Sequence, residues 1–225
     1  SENWEQQDKD RPRKGLSSST FWAKTTIENR TSKPLPLTFV QECPMADWIQ
    51  FFIVDQTQVI DSSSLMGDTF FFENRTVPHH YFAYNYIFPP NTTLTFYCKT
   101  GQIGGKFYLP LKLARQNAWQ SENNRKILTH GLILGIVFIF CLIGLFTYLS
   151  IGRSFLLFFI LQNISLVLFY LAFNGMGFQY LWPNNTHFQQ IATAQTLNSI
   201  AIFKVFFFIS FFNLKQIKSF KYTIM

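Results

Sequence analysis

After Glu122 this sequence contains no acidic residue. That absence excludes a carboxylate acid–base pair and a carboxylate-held metal from residues 123–225. Cysteine is scarce too: there are three, and none stands in a CxxC or Cys/His cluster, so a zinc site has no support. Cys43 and Cys98 fall in the polar half of the chain, where an oxidising compartment would permit a bridge; their pairing stays open at this point. Cys141 sits inside an apolar run and reads as small packing. No nucleophile–base set, acid pair or metal cluster emerges anywhere, so neither an enzyme nor a cofactor is expected.

What replaces the missing charge is hydrocarbon. Residues 131–149 and 155–173 carry no charge at all, and 191–213 carry one, Lys204. A bilayer core of about 30 Å needs about 20 helical residues to cross, and each run is long enough. Residues 1–130 hold all 12 acidic residues and 14 of the 19 basic ones, so most of the net charge of +7 belongs to the apolar half. Lys215, Lys218 and Lys221 directly follow the third run. That placement marks the cytoplasmic end of a span and a contact with anionic lipid, not a nucleic-acid surface. Lysine and arginine counts near the spans then put the polar half outside, in the periplasm or cell exterior, with the chain multi-pass in the inner (plasma) membrane. Residues 1–19 are too polar for a signal peptide, so an external polar half requires a cleaved signal or a clipped chain.

The chain divides accordingly. Residues 1–19 form a charged, Ser-rich lead-in, 20–118 a β-rich domain and 119–130 a connector with incipient helix. Spans follow at 131–149, 155–173 and 191–213, and 214–225 form a basic tail. Within the polar half, β-rich stretches at 22–28, 35–42, 48–54, 70–72, 81–88, 93–99 and 106–113 alternate with turns such as Pro89-Pro90-Asn91. Short strands at this spacing predict an all-β sandwich, and about 95 residues suffice for one domain. Gly152 and Arg153 leave room for only a tight turn between the first two spans, which makes them an antiparallel hairpin.

Several positions stand out, each with two readings. Asp68 and Arg75, with Gly67 before them, either contact a ligand hydroxyl or carboxylate or pair with each other to pin a loop; the second reading is favoured. His79 and His80, as strand neighbours, point to opposite faces and so cannot readily share a metal. Trp48, Phe51, Phe52, Tyr81, Phe82, Tyr84 and Tyr86 read as sandwich core, with sugar stacking the sharper alternative. Phe178, Tyr180 and Trp182 follow the second span. They form an interfacial aromatic belt or a surface on which the external domain docks. Gln195, Asn198 and Lys204 in the third span are costly against lipid and call for cover by helices beyond these three. The Asn-x-Ser/Thr matches at Asn29, Asn74, Asn91 and Asn184 carry little weight, since Asn163 inside a span matches as well.

The stretch NGMGFQYLWP at 174–183 resembles the segment after the second helix of bacterial seven-transmembrane receptors with diverse intracellular signalling modules, and 131–174 resemble their first two helices. The polar half is similar to that family's type 2 extracellular domain. Its landmarks are Phe21-Trp22, Asn29, Met66-Gly67-Asp68 with Arg75, and Leu109-Pro110-Leu111 near Trp119. The resemblance implies a jelly-roll-like sandwich, related in shape to carbohydrate-binding modules, outside a seven-helix bundle with a cytoplasmic output domain. Three helices and no output domain are present here, so a truncated product or an incomplete record is expected.

The function expected is a sensory receptor portion. Its sandwich binds a small ligand, a saccharide for instance, and couples it to the helices. A membrane-anchored adaptor working with a separate signalling protein is the alternative. Expected partners are lipid, the small ligand, and the missing helices or an output protein.

Overall fold

The computed structural model describes Trp4, residues 13–16, 18–102 and 106–213. The basic tail, with Lys215, Lys218 and Lys221, lies outside the described residues. The chain forms two compact units. One comprises 1–123 together with 174–190, and the other 124–173 with 191–225.

The first unit is an antiparallel β-sandwich. In chain order its strands are β1 (Arg13–Leu16), β2 (Thr20–Asn29), β3 (Leu35–Gln41), β4 (Trp48–Asp55), β5 (Gln58–Ser62), β6 (Phe82–Phe88), β7 (Thr92–Gly101), β8 (Lys106–Tyr108) and β9 (Leu111–Arg115). One sheet has the order β2-β7-β4-β5, the second β6-β3-β9, and β1 pairs with β8. Alternation along the strands decides what is buried. Ile49, Phe51 and Ile53 of β4 and Leu94, Phe96 and Cys98 of β7 point inward, where they meet Leu37 and Phe39 of β3 and Phe82, Tyr84 and Phe88 of β6. Phe39 stacks on Phe96 with ring centroids 3.7 Å apart, and Phe51 lies 5.6 Å from Phe96. Phe51, Phe82 and Tyr84 are therefore core residues.

Four local expectations need correction. Residues 70–72 form no strand; a 3-10 turn covers Phe72–Asn74. The stretch 106–113 splits into β8 and β9 because Pro110 lacks the N–H a continuous ladder needs. The exposed edge strand β5 went unforeseen, and β1 forms within the polar lead-in. His79 and His80 do not alternate across a strand. They occupy a bend before β6 with ring centroids 4.0 Å apart. Cys43, Cys98 and Cys141 are all free.

Asn29 explains how two turns at one end are fixed. Its amide nitrogen donates to the carbonyls of Lys33, Phe88 and Pro89 at 3.0, 3.3 and 2.8 Å. Its oxygen accepts from the Thr31 amide and hydroxyl. A buried amide so engaged is a structural tie, not a glycan acceptor.

The second unit holds three helices long and apolar enough to cross a membrane: α1 (Gln116–Ile151), α2 (Ser154–Phe173) and α4 (Thr186–Phe211). The connector and the first span are one helix of 36 residues. Gly152, at φ 69°, makes the turn to α2. Phe155 and Phe159 of α2 meet Phe207 of α4 at 6.2 and 6.4 Å, Phe155 also meets Phe211 at 5.4 Å, and Phe158 stacks on Phe206 at 5.4 Å. Lys204 is exposed on α4, as are Gln195 and Asn198.

Candidate functional site

The segment carrying Asp68 is laced to β4 before any site can form. Ile49 and Met66 exchange backbone hydrogen bonds at 2.6 and 2.9 Å, the Asp68 amide donates to the Ala46 carbonyl at 2.9 Å, and the Thr69 hydroxyl donates to the Asp47 carbonyl at 2.6 Å. Gly67 makes this approach possible: a Cβ there would lie 1.9 Å from the Asp47 carbonyl oxygen.

Arg75 closes the 3-10 turn and is 5% exposed. One guanidinium nitrogen, Nη1, donates to the carbonyls of His79 and His80 at 2.7 and 2.8 Å. The planar group lies over the rings of Phe82, Phe72 and Phe178 at 4.3, 4.8 and 5.6 Å. Such cation–π packing compensates part of the charge's lost hydration. The Nε and Nη2 edge has no hydrogen-bond partner, and neither does Asp68 Oδ1. No ion pair joins Asp68 and Arg75; the described ion pairs are Arg30–Glu28 and those of Lys112 with Glu42 and Glu122. The favoured reading of the two as a loop-pinning pair is thus not what forms. They act on each other through space only. Burial, reinforced by the nearby Asp47 and opposed by Arg75, pushes the Asp68 carboxyl up to about 7. Burial pulls the Arg75 guanidinium down, with Asp68 opposing, yet it stays charged at neutral pH.

Phe178 belongs to the same unit although it follows the second span. It sits in a short helix, α3 (Met176–Tyr180), is fully buried, and lies edge-on to Phe72 with centroids 5.8 Å apart. The Phe72 amide donates to the Pro183 carbonyl at 3.0 Å, and the Gln179 side chain donates to the Pro78 carbonyl at 3.3 Å. Gly175, at φ 74°, turns the chain where a Cβ would lie 2.5 Å from Pro44. Trp182 works within the segment: its indole donates to Gln189 at 2.8 Å and meets Phe188 at 4.9 Å. Tyr180 is 67% exposed. Of the three aromatics singled out here, one packs on the sandwich, one shapes the segment, and one faces outward.

His79 locks the neighbouring bend. Its Nδ1 accepts from the Tyr81 amide at 3.0 Å, which leaves Nε2 to donate to the Asn123 oxygen at 2.7 Å. Among the described residues no group of three His, Cys, Asp or Glu is placed to hold a metal ion.

Sequence reasoning missed one cluster. Trp22, Lys24, Phe52, Tyr97 and Lys99 share the outer face of the β2-β7-β4-β5 sheet. The signal was present, since Trp22, Lys24 and Thr26 alternate with Phe21, Ala23 and Ile27, but which set faces water depends on the partner sheet.

An antiparallel sandwich that incorporates the segment between two membrane-capable helices defines a class: an all-β domain built into a multi-span membrane protein. Residues 1–115 match the family described as 7TMR-DISM extracellular 2, and residues 126–225 match 7TM diverse intracellular signalling. The chain belongs to this family of seven-transmembrane receptors with diverse intracellular signalling modules, and is a membrane sensory and signalling receptor region; the family is not a known enzyme class. No curated protein matches it.

Proposed function

We propose that the sandwich is the ligand-sensing part of the receptor, that its ligand is a small saccharide, and that segment 174–190 carries ligand occupancy toward the spans. The observation that supports this is Phe178, buried against Phe72 beneath the Arg75 guanidinium. The same cluster contains the buried, unpartnered edge of Arg75 and the buried, unpartnered oxygen of Asp68, so a ligand that reaches either would act on the residue that covers Phe178. Differential affinity of a few kcal/mol between two states suffices to shift their populations. The receptor sits in the inner membrane of a bacterial cell with the sandwich outside the cytoplasm, and further helices of the seven cover α4 where Lys204 stands exposed.

The test is a thermal-shift screen of the full chain in nanodiscs against an oligosaccharide panel, followed by hydrogen exchange on residues 174–190. A stabilising sugar should change exchange in that segment, and Phe178→Ala should remove the change while binding persists. Binding that leaves 174–190 unaltered would refute coupling by this route.

A further inference from the structure

The outer face of the β2-β7-β4-β5 sheet carries aromatic rings in sequence. Phe52 stacks on Trp22 at 5.9 Å, Trp22 meets Tyr97 edge-on at 6.4 Å, and Trp4 lies 6.1 Å from Tyr97. Trp22 is 47% exposed. Register explains the assembly: Lys24 and Phe52 flank Tyr97 on the neighbouring strands, while Trp22 and Gln50 flank Lys99. These residues cannot turn inward without moving Phe51, Phe96 and Cys98 out of the core.

Two cations are set among the rings. The Lys99 ammonium lies 5.3 Å from the Trp22 ring and 5.7 Å from Trp48, and the Lys24 ammonium lies 4.4 Å from Trp4. On β2, β7 and β4 the outward acid is Glu28, at the far end of β2 and paired with Arg30 at 2.7 Å. The aromatic half of the face is therefore positive and has no carboxylate of its own on these strands. Flat rings offer stacking to the C–H faces of sugars, and the hydroxyls of Thr26 and Thr95, 3.4 Å apart, continue the surface with polar groups.

We propose that this face binds an acidic oligosaccharide, its pyranose rings stacking on Trp22 and Tyr97 and its carboxylates meeting Lys99 and Lys24. The assignment rests on the reading of the sandwich as a saccharide sensor and gives it a second saccharide surface, of defined ligand class, apart from the Asp68 and Arg75 cluster. Charge complementarity selects a uronate-type chain over a neutral glycan, because each lysine gains a partner that the described residues of these strands do not supply on this face. It also makes the contact sensitive to salt.

The full 225-residue chain in phosphatidylcholine nanodiscs is titrated by calorimetry with tetragalacturonate and, separately, with cellotetraose. The acidic sugar should bind at least about tenfold more tightly, and its affinity should fall severalfold with added salt. Trp22→Ala should weaken it about tenfold, Trp22→Phe should retain most of it, and Lys99→Gln should erase the preference for the acidic chain. Thermal unfolding verifies that each variant is folded. Equal affinity of folded Trp22→Ala and the parent chain overturns the proposal, as does equal binding of the two sugars. So does a Trp22→Ala defect seen only in binding to phosphatidylserine vesicles, which would make the face a lipid contact. Trp22-dependent binding with no change in exchange at 174–190 refutes coupling from this face and leaves this assignment standing.

Discussion

Phe178 lies edge-on to Phe72 with ring centroids 5.8 Å apart, although 106 positions of sequence and two membrane-capable helices separate them. The pair places the segment between α2 and α4 inside the sandwich unit, and the Arg75 guanidinium lies over both rings.

Phe178→Ala should destabilise the sandwich unit by about 3 kcal/mol, since a fully buried ring is removed from a site that cannot close completely. Tyr180→Ala, at a position 67% exposed, should change stability by less than about 0.5 kcal/mol. Denaturant unfolding in detergent, followed by tryptophan fluorescence, compares the two.

Arg75→Lys should cost about 2 kcal/mol. An ammonium can reach one of the two carbonyls now bound at 2.7 and 2.8 Å, but it cannot lie flat over three rings. The loss should appear in hydrogen exchange as faster opening of residues 72–80 and 176–183 together. Opening of the first stretch alone would show that Arg75 does not hold the second.

Asp68 gives the sandwich a pH dependence of defined sign. Its carboxyl is raised to about 7 in the folded protein from an ordinary value of 3.8, chiefly by burial. Between those values the folded state binds the proton more tightly than the unfolded chain, so the contribution to stability is present at low pH and is lost as pH rises toward 7. Asp68→Asn should flatten the dependence of the unfolding midpoint between about pH 4 and pH 7 and raise the midpoint at pH 8. A parent protein with a midpoint that climbs through this window would contradict the assignment.

Lys204→Leu should favour membrane insertion of the third span by about 3 kcal/mol, because Lys204 is exposed on α4 near the middle of an apolar run. Glycosylation mapping of the isolated span reads the inserted fraction. In a receptor with all seven helices the same substitution should weaken the bundle if those helices supply the lysine's polar partner.

Much of the fold was legible because its signals are local. Alternation along β2, β4, β6 and β7 and the uncharged runs of α1 and α2 need no tertiary information. Misreadings arose where a neighbour decides. Phe70, Phe71 and Phe72 look like a strand, yet the Phe72 amide is taken by Pro183, far along the chain, and the backbone turns instead. His79 and His80 would alternate in a strand but stack in a bend, because Arg75 draws both their carbonyls to one nitrogen.

By itself the sequence determined the division between a strand-forming half and a membrane-spanning half, because alternation and uninterrupted apolar length are properties of neighbouring residues. Tertiary structure alone decided that Phe178 joins the sandwich, that Asp68 and Arg75 remain apart, and that Trp22 faces outward. Each of those outcomes depends on which distant backbone groups and rings share the same space, and close packing admits one arrangement.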